Sequence, residues 1–268
     1  MNCYTLLNKL VNGQIQGFIT MTQQSAQPAP ENSSGTSAQP PAQGQQQKVK
    51  VWDISIRLFH WSLAALIGFL WWSGTEGVQM ENHMQAGYAV LALISYRIIW
   101  GFLGSYHARF INFVRSPFTT LKSVPDVIAV RSDSHYVGHN PVGGWMVVLL
   151  ILTLLSQGLT GLGTTDDIYT DGPLVAYLDS DMVELLSSLH HQIADLLIAL
   201  VILHLAAVLY HDAIKRERLI QAMVTGSKNT PTPAEASSFS TKRFLIVVAI
   251  LSLIGWWLLS SFTGGGGY

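Results

Sequence analysis

The amino-acid sequence predicts an all-α integral membrane protein, on the evidence of its composition and of five long apolar segments. Hydrophobic residues make up 49 % of the chain and charged residues only 12 %, about half the charged share of a typical soluble domain. Each apolar segment approaches or exceeds the roughly 18 to 20 residues needed to cross a bilayer core. The segments lie near residues 54–73, 83–104, 142–163, 186–211 and 244–262. Five of them in 268 residues exclude a soluble fold.

Polar stretches between the apolar segments predict the domain boundaries. Residues 22–47 are rich in Gln, Ser, Ala and Pro, a composition that cannot bury a core and is typical of disorder. We therefore expect a disordered tail over 1–47, a four-helix domain over 48–226, a polar linker over 227–242, an additional transmembrane helix over 243–263 and a C-terminal tail over 264–268.

The positions of lysine and arginine predict how the chain is oriented. Basic residues precede the first segment, separate the second from the third and follow the fourth, whereas the connections 74–82 and 164–185 contain none. These two connections carry eight carboxylates: Glu76, Glu81, Asp166, Asp167, Asp171, Asp179, Asp181 and Glu184. The positive-inside rule therefore predicts a bacterial inner-membrane protein with a cytoplasmic N-terminus and a periplasmic C-terminus.

Four histidines inside the apolar segments fall at two depths. In the predicted topology His60 lies near the cytoplasmic end of the first segment and His83 near the outer end of the second. The fourth segment carries His190 near its outer end and His204 deeper. Their spacing of 14 residues corresponds to a rise of about 21 Å and an offset of roughly 40° around the helix. The fourth segment thus presents two imidazoles on one face.

Matching the depths pairs His83 with His190 and His60 with His204. Two such pairs predict two bis-histidine haem b groups in a four-helix bundle. His191 lies roughly 140° from His204 around the helix, so we assign it a polar or interfacial role. The alternative is that the histidines are polar residues satisfied by hydrogen bonds between helices. A zinc or copper site is disfavoured, because pairs about 21 Å apart cannot converge on one ion.

Three further residues are candidate cofactor contacts. Arg97 lies at the depth of the inner histidine pair and is predicted to contact a haem propionate or a quinone carbonyl, unless it snorkels to the interface. Arg57 lies one turn before the first histidine and could anchor a propionate or form an ion pair with Asp53. Gly87, one turn after the second histidine, would let a flat macrocycle approach the backbone, although close helix packing explains it equally well.

The remaining histidines and the tryptophans have ordinary interpretations. His107, His135 and His139 lie in a connection on the basic side and need no metal to explain them. His211 is interpreted as an interfacial histidine, and most tryptophans, Trp100 included, as an interfacial belt. The single cysteine leaves no disulfide, CxxC pair or c-type haem attachment motif, and we expect no nucleic-acid partner.

Four blocks of sequence, in this order and spacing, carry a resemblance. They are VWDISIRLFHW at 51–61, HMQAGYAVLALISYRIIWGFLG at 83–104, GHNPVGGWMVVLLILTLLSQGLTGL at 138–162 and LHHQIADLLIALVILHLAAVLYHDAIKRERLIQAMVTGSK at 189–228. Through them the chain resembles the bacterial cytochrome b561 and nickel–iron hydrogenase b-type cytochrome family. The resemblance implies a membrane dihaem cytochrome b that passes electrons between a partner redox protein and the quinone pool. It implies the same four axial ligands: His60, His83, His190 and His204.

The chain departs from the family pattern at two places. His191 stands where an acidic residue is expected after the outer ligand, and a fifth apolar segment follows the four-helix core. The alternatives are a cofactor-free membrane anchor and a proton-relay transporter. An anchor would not need paired histidines, and a relay should contain more intramembrane carboxylates than Asp195. Whether the chain is only an electron-transfer subunit or also a quinone-reactive oxidoreductase stays open.

The acidic outer connections predict the kind of redox partner. The resemblance permits other protein subunits and, in one branch of the family, superoxide. A surface with eight carboxylates and no lysine or arginine repels a small anion and attracts a basic protein. We therefore expect a periplasmic redox protein, such as a basic c-type cytochrome. The alternative is that the carboxylates only keep the connections soluble.

Overall fold

The structure, a computed structural model, describes residues 47–130, 136–166, 170–230 and 234–263, with side chains described up to residue 255. The predicted tails at 1–47 and 264–268 therefore lie outside the described residues, apart from Gln47. The described helices are α1 (Ile54–Glu76), α2 (Met80–Leu103), α3 (Phe110–Phe113), α4 (Pro117–Ile128), α5 (Pro141–Gly161), α6 (Ser180–Leu209), α7 (Leu219–Thr225) and α8 (Thr241–Thr263). The described residues also contain two short strands, β1 (Gln47–Lys50) and β2 (Ser227–Thr230), together with 3-10 helices at Tyr106–Ala108 and Val175–Tyr177 and a π-helical turn at Tyr210–Ile214.

Among the described residues, four helices are long and apolar enough to cross a membrane: α1, α2, α5 and α6, the last extended by a π-helical turn to Ile214. They correspond to the first four predicted segments, so the chain is a multi-pass, mostly helical membrane protein. The fifth predicted segment forms α8, which has 23 residues. That α8 crosses the membrane stays a prediction.

Local sequence signals explain where the spanning helices begin. Asp53, Asn140 and Asp179 precede α1, α5 and α6, and each side chain accepts a hydrogen bond from a backbone N–H of the first turn. Such caps satisfy donors that have no partner inside the helix. At the other end of α1, Gly77 adopts a left-handed conformation with φ of 61°, which glycine reaches without steric cost.

The spanning helices pack in the order α1, α2, α5, α6, each against the next. An apolar cluster joins them, formed by Val90, Ile94, Ile151, Leu154 and Leu197. No comparably close backbone packing joins α1 to α6. Among these four helices the ring is therefore tightly closed on three sides and more open on the fourth.

We call the end of the bundle with the basic connections the basic side, and the end with connections 74–82 and 164–185 the acidic side. A second apolar cluster lies on the basic side and consists of Val51, Trp52, Ile56, Tyr96, Trp100, Ala108, Ala222 and Val247. Trp100 is fully buried there, 0 % exposed, and stacks on Tyr96. Trp100 therefore belongs to the core and not to an interfacial belt. β1 pairs antiparallel with β2, from Gln47 opposite Thr230 to Lys50 opposite Ser227. The segment predicted as a polar linker thus begins as a strand.

Candidate functional site

In the structure the four membrane histidines interact electrostatically across helices α1, α2 and α6, and their pairing as haem ligands stays a prediction. His60 on α1 lies close enough to His204 on α6 for the two imidazoles to interact electrostatically. His83 on α2 and His190 on α6 also interact electrostatically. All four side chains are partly buried, whereas His191 is exposed. Helix α6 therefore contributes one imidazole to a basic-side pair and one to an acidic-side pair.

Hydrogen bonds orient the imidazoles of the acidic-side pair. Nδ1 of His83 lies 2.9 Å from the Ser73 hydroxyl. Nδ1 of His190 lies 3.0 Å from the Gln157 carbonyl oxygen and 3.3 Å from the Thr160 hydroxyl. A carbonyl oxygen only accepts, so the His190 proton resides on Nδ1 and Nε2 keeps its lone pair. The amide nitrogen of Gln157 lies 3.1 Å from that Nε2, which makes it the group that a metal ion would displace.

Two buried polar atoms towards the basic end of the helices have no hydrogen-bond partner within the described residues. Nδ1 of His60 and Nη1 of Arg97 are buried without a hydrogen bond. Arg97 is only 4 % exposed, and its guanidinium lies 4.8 Å from the centre of the Phe110 ring and 6.0 Å from that of Phe113. A buried cation with an unsatisfied N–H is costly. This site is therefore suited to an anionic or hydrogen-bond-accepting group.

His139 is the residue that the sequence interpretation missed. Its ring lies between those of Trp52 and Phe113, at centroid distances of 4.8 and 4.7 Å. Its buried Nδ1 has no partner, and it interacts electrostatically with both histidines of the basic-side pair. Burial, reinforced by the nearby Arg97, lowers the pKa of His139 to about 3. The available signal was its position beside the helix cap Asn140, which draws it from the connection into the bundle.

Arg57 contacts protein carbonyls. Its guanidinium donates to the carbonyl oxygens of Met223, at 3.3 Å, and of Val224, which belong to the last turn of α7. Lone carbonyls at a helix C-terminus favour a cation. Arg57 therefore fastens the segment that follows α6 to the start of α1, and its predicted contact with a propionate stays untested.

Asp53 and Arg57 do not form the predicted ion pair. Asp53 is 0 % exposed, and its two oxygens are occupied by other donors. They accept hydrogen bonds from Ser55, Ile56, Trp100 and Ser105. The carboxylate is thereby satisfied within the protein, because hydroxyl, indole and backbone donors replace the arginine.

The imidazole donor set fits a haem, and glycines lie beside the acidic-side pair. A Cβ added at Gly87 would meet no atom within 4 Å, whereas one at Gly74 or Gly161 would lie 3.3 Å from the His83 ring or 2.9 Å from the His190 ring. Gly74 and Gly161 thus let the two rings pack closely against the neighbouring helices, and open space lies beside Gly87. Within the described ranges, no three His, Cys, Asp or Glu residues cluster in a way that could hold a metal ion. Paired imidazoles are the donor set of a bis-histidine haem and not of a tetrahedral zinc site.

The carboxylates of the acidic side divide into two groups. Asp179 caps α6 by accepting from the Met182 N–H at 2.9 Å, and Asp171 accepts from the Thr165 hydroxyl at 2.6 Å. Asp166 accepts from a backbone N–H at 2.8 Å, and Asp167 lies outside the described residues. Four others are exposed and have no hydrogen-bond or ion-pair partner within the described ranges: Glu76, Glu81, Asp181 and Glu184.

Comparison with known proteins places these features in a family. A family model described as "Prokaryotic cytochrome b561" matches residues 51–226. A protein of Rhizobium leguminosarum bv. viciae named "Probable Ni/Fe-hydrogenase B-type cytochrome subunit" is 25 % identical over 69 % of this chain and 90 % of its own length. A protein of the same name from Azotobacter chroococcum mcd 1 is 24 % identical over 68 % of this chain and 88 % of its own length. No solved structure gives a significant match.

Proposed function

The chain belongs to the prokaryotic cytochrome b561 family, and we propose that it carries electrons across the membrane with two haem b groups. His60 and His204 would ligate one haem, and His83 and His190 the other. The observation that carries this proposal is the pair of imidazoles at each of two depths. An anchor without a cofactor would not require either pair, and a zinc site would require the donors to converge.

The surrounding residues have definite tasks in this arrangement. A bound haem b supplies a one-electron iron couple, whose potential depends on ligands, hydrogen bonds and burial. The Gln157 carbonyl and the Thr160 hydroxyl hold His190 with Nε2 free of a proton, and Ser73 orients His83. Such hydrogen bonds fix ring orientation and raise ligand basicity. Arg97 offers its unpartnered N–H to a propionate or a quinone carbonyl.

The proposed partners are a periplasmic redox protein and the quinone pool of the membrane. With the N-terminus in the cytoplasm, the acidic side faces the periplasm, where exposed carboxylates would attract a basic redox protein such as a c-type cytochrome. The relatives are named as hydrogenase subunits, which favours a hydrogenase as a second candidate partner. The quinone pool is the proposed membrane partner in either case.

The test of haem ligation is the haem content of purified histidine variants. We expect two haems per chain, with b-type absorption bands after reduction by dithionite. His60→Ala or His204→Ala should remove one haem, and His83→Ala or His190→Ala the other, while the exposed His191→Ala should retain both. Retained circular dichroism and the remaining haem would show that each variant is folded. Loss of a haem in His191→Ala with retention in His190→Ala would overturn the assignment.

The proposed orientation is tested separately, by fusions to the last residue, Tyr268. An alkaline phosphatase fusion should be active, because this enzyme folds in the periplasm and five spans would place the C-terminus there. A fusion to green fluorescent protein should stay dark. The reverse pattern would mean that α8 does not cross the membrane, and it would leave the haem assignment intact.

A further inference from the structure

A basic cavity lies beside the end of the fourth spanning helix, apart from the histidine pairs. It has a volume of about 620 Å³, which is in the usual range of ligand pockets, roughly 300 to 1,000 Å³. Its walls come from β1, from residues 215–230 and from Tyr136 and Val137. None of the four paired histidines lines it, so the haem proposal does not account for it.

The cavity carries a large excess of positive charge. Five cationic side chains line it: Lys48, Lys215, Arg216, Arg218 and Lys228. Its single carboxylate, Glu217, already lies 3.2 Å from His211 and 3.5 Å from Lys215. Within the described part of the chain, three of the cations have no hydrogen-bond or ion-pair partner, namely Lys48, Arg216 and Arg218. Their charge is therefore available to a ligand.

The two remaining lysines are held in place by protein carbonyls, and Lys215 is also paired with Glu217. Nζ of Lys215 donates to the Val127 carbonyl at 2.8 Å, and Nζ of Lys228 donates to the Tyr136 carbonyl at 3.0 Å. Burial lowers the pKa of Lys228, and Lys215 lowers it further against the opposing effect of Glu217. An anion in the cavity would relieve this repulsion between neighbouring ammonium groups.

The backbone supports the same wall in an unusual conformation. Arg216 and Arg218 have φ of 57° and 54°, in the left-handed region that is costly for residues with a Cβ. Non-glycine residues in this region persist where surrounding contacts impose them, and such residues cluster at ligand clamps. Here the conformation places two arginines, two residues apart, on one cavity wall.

We propose that this cavity binds the phosphate-bearing headgroup of an anionic phospholipid. It adjoins the membrane end of α6, whose spanning segment stops at Ile214. On α7, Ile220 and Val224 are 40 % and 51 % exposed and lie one turn apart, so acyl chains can pack there. Cations beside an exposed apolar stripe are typical of segments lying at a membrane surface, and basic pockets between spanning helices bind such headgroups. A free phosphate would engage only the cations.

Titration of the purified full-length protein with lipid, followed by native mass spectrometry, tests the proposal. The probe is dioleoylphosphatidylglycerol, compared with dioleoylphosphatidylcholine and with glycerol 3-phosphate. The triple variant Lys48→Gln, Arg216→Gln, Arg218→Gln should bind the anionic lipid about one hundredfold more weakly, since each Lys or Arg near a membrane surface contributes about fivefold. The matched control Arg115→Gln, Lys122→Gln, Lys242→Gln removes the same charge from the basic side outside the cavity and should bind almost normally.

Comparing the two triple variants and the three ligands distinguishes binding in this cavity from a general attraction of anionic lipid to the basic side. Equal weakening in the triple variant and its control would overturn the proposal, as would equal affinity for the zwitterionic lipid. Binding of glycerol 3-phosphate as tight as that of the lipid would identify a free phosphate and refute the lipid. Should the triple variant not fold, as judged by circular dichroism, Lys48→Gln alone should lose about fivefold, and an unchanged affinity would refute the site.

Discussion

Asp53 and Asp179 cap spanning helices in the same way, yet their removal should differ greatly in cost. Each accepts a hydrogen bond from the third residue after it. Asp179 is exposed, and within the described residues its side chain makes no other hydrogen bond. Asp53 is fully buried and accepts three further hydrogen bonds. These come from the Ser55 hydroxyl at 2.5 Å, the Trp100 indole N–H at 3.3 Å and the Ser105 hydroxyl at 2.5 Å.

The expected loss in the free energy of unfolding follows from the number of hydrogen-bond donors that each substitution leaves without an acceptor. Loss of an N-cap costs about 1 kcal/mol, which is the whole expected effect of Asp179→Ala. In Asp53→Ala three buried donors also lose their acceptor, at about 1 kcal/mol each or more. We therefore expect Asp53→Ala to lower the free energy of unfolding by about 4 kcal/mol, roughly 3 kcal/mol more than the control. That difference corresponds to about two powers of ten in the unfolding equilibrium constant.

The measurement is unfolding in mixed detergent micelles, followed by circular dichroism of the helices. Asp53→Asn should fall between the other two variants, because its amide oxygen can still cap α1 while its NH₂ group faces other donors. Equal losses of stability in Asp53→Ala and Asp179→Ala would show that the buried network adds nothing. The reasoning from unsatisfied donors would then be refuted for this protein.

Three other predictions follow from the structure. Gly101→Ala should destabilise the protein by about 1 to 3 kcal/mol, because its Cβ would overlap the Phe110 ring. Gly68→Ala, whose Cβ would meet no atom within 4 Å, should be neutral or stabilising in the same unfolding assay. Stability should fall as the pH drops from about 6.5 towards 3, since His139 has a pKa of about 3 in the folded protein and the unfolded chain takes up its proton first; His139→Gln should make the fall shallower, and an unchanged profile would contradict the burial of a neutral imidazole. If a basic c-type cytochrome docks on the acidic side, its electron-transfer rate should decrease as salt shortens the Debye length from about 30 Å to about 8 Å. Replacing the four unpartnered carboxylates by amides should flatten that dependence without disturbing a helix cap: Glu76, Glu81, Asp181 and Glu184.

The helix caps show why sequence could not choose the residues for that last experiment. From the sequence alone, the eight carboxylates in the two connections cannot be told apart, because each contributes one negative charge. Only the tertiary structure shows that Asp179 caps the start of α6 and that Asp171 accepts a hydrogen bond from Thr165. Neutralising such residues would confuse loss of docking with loss of local structure.

Depth across the membrane is the property that the sequence by itself determined. A helix rises about 1.5 Å per residue, so residue number converts directly into depth once the spanning segments are known. The first four segments and the grouping of His60 with His204 and of His83 with His190 follow from that one coordinate. The described part of the structure has the same four candidate spanning helices, and the same imidazoles interact electrostatically. Their pairing as haem ligands stays a prediction.

Contacts between distant segments on the basic side were decided only by the tertiary structure. Arg57 reaches carbonyls 166 and 167 residues away, and Asp53 accepts from residues 47 and 52 positions later. The pairing of β1 with β2 brings Lys48 next to the cations that follow α6, and the connection before α5 turns His139 inward. Outside the membrane neither a helical period nor an apolar thickness restricts where a side chain lies, so the positions of these residues depend on how the connections pack together.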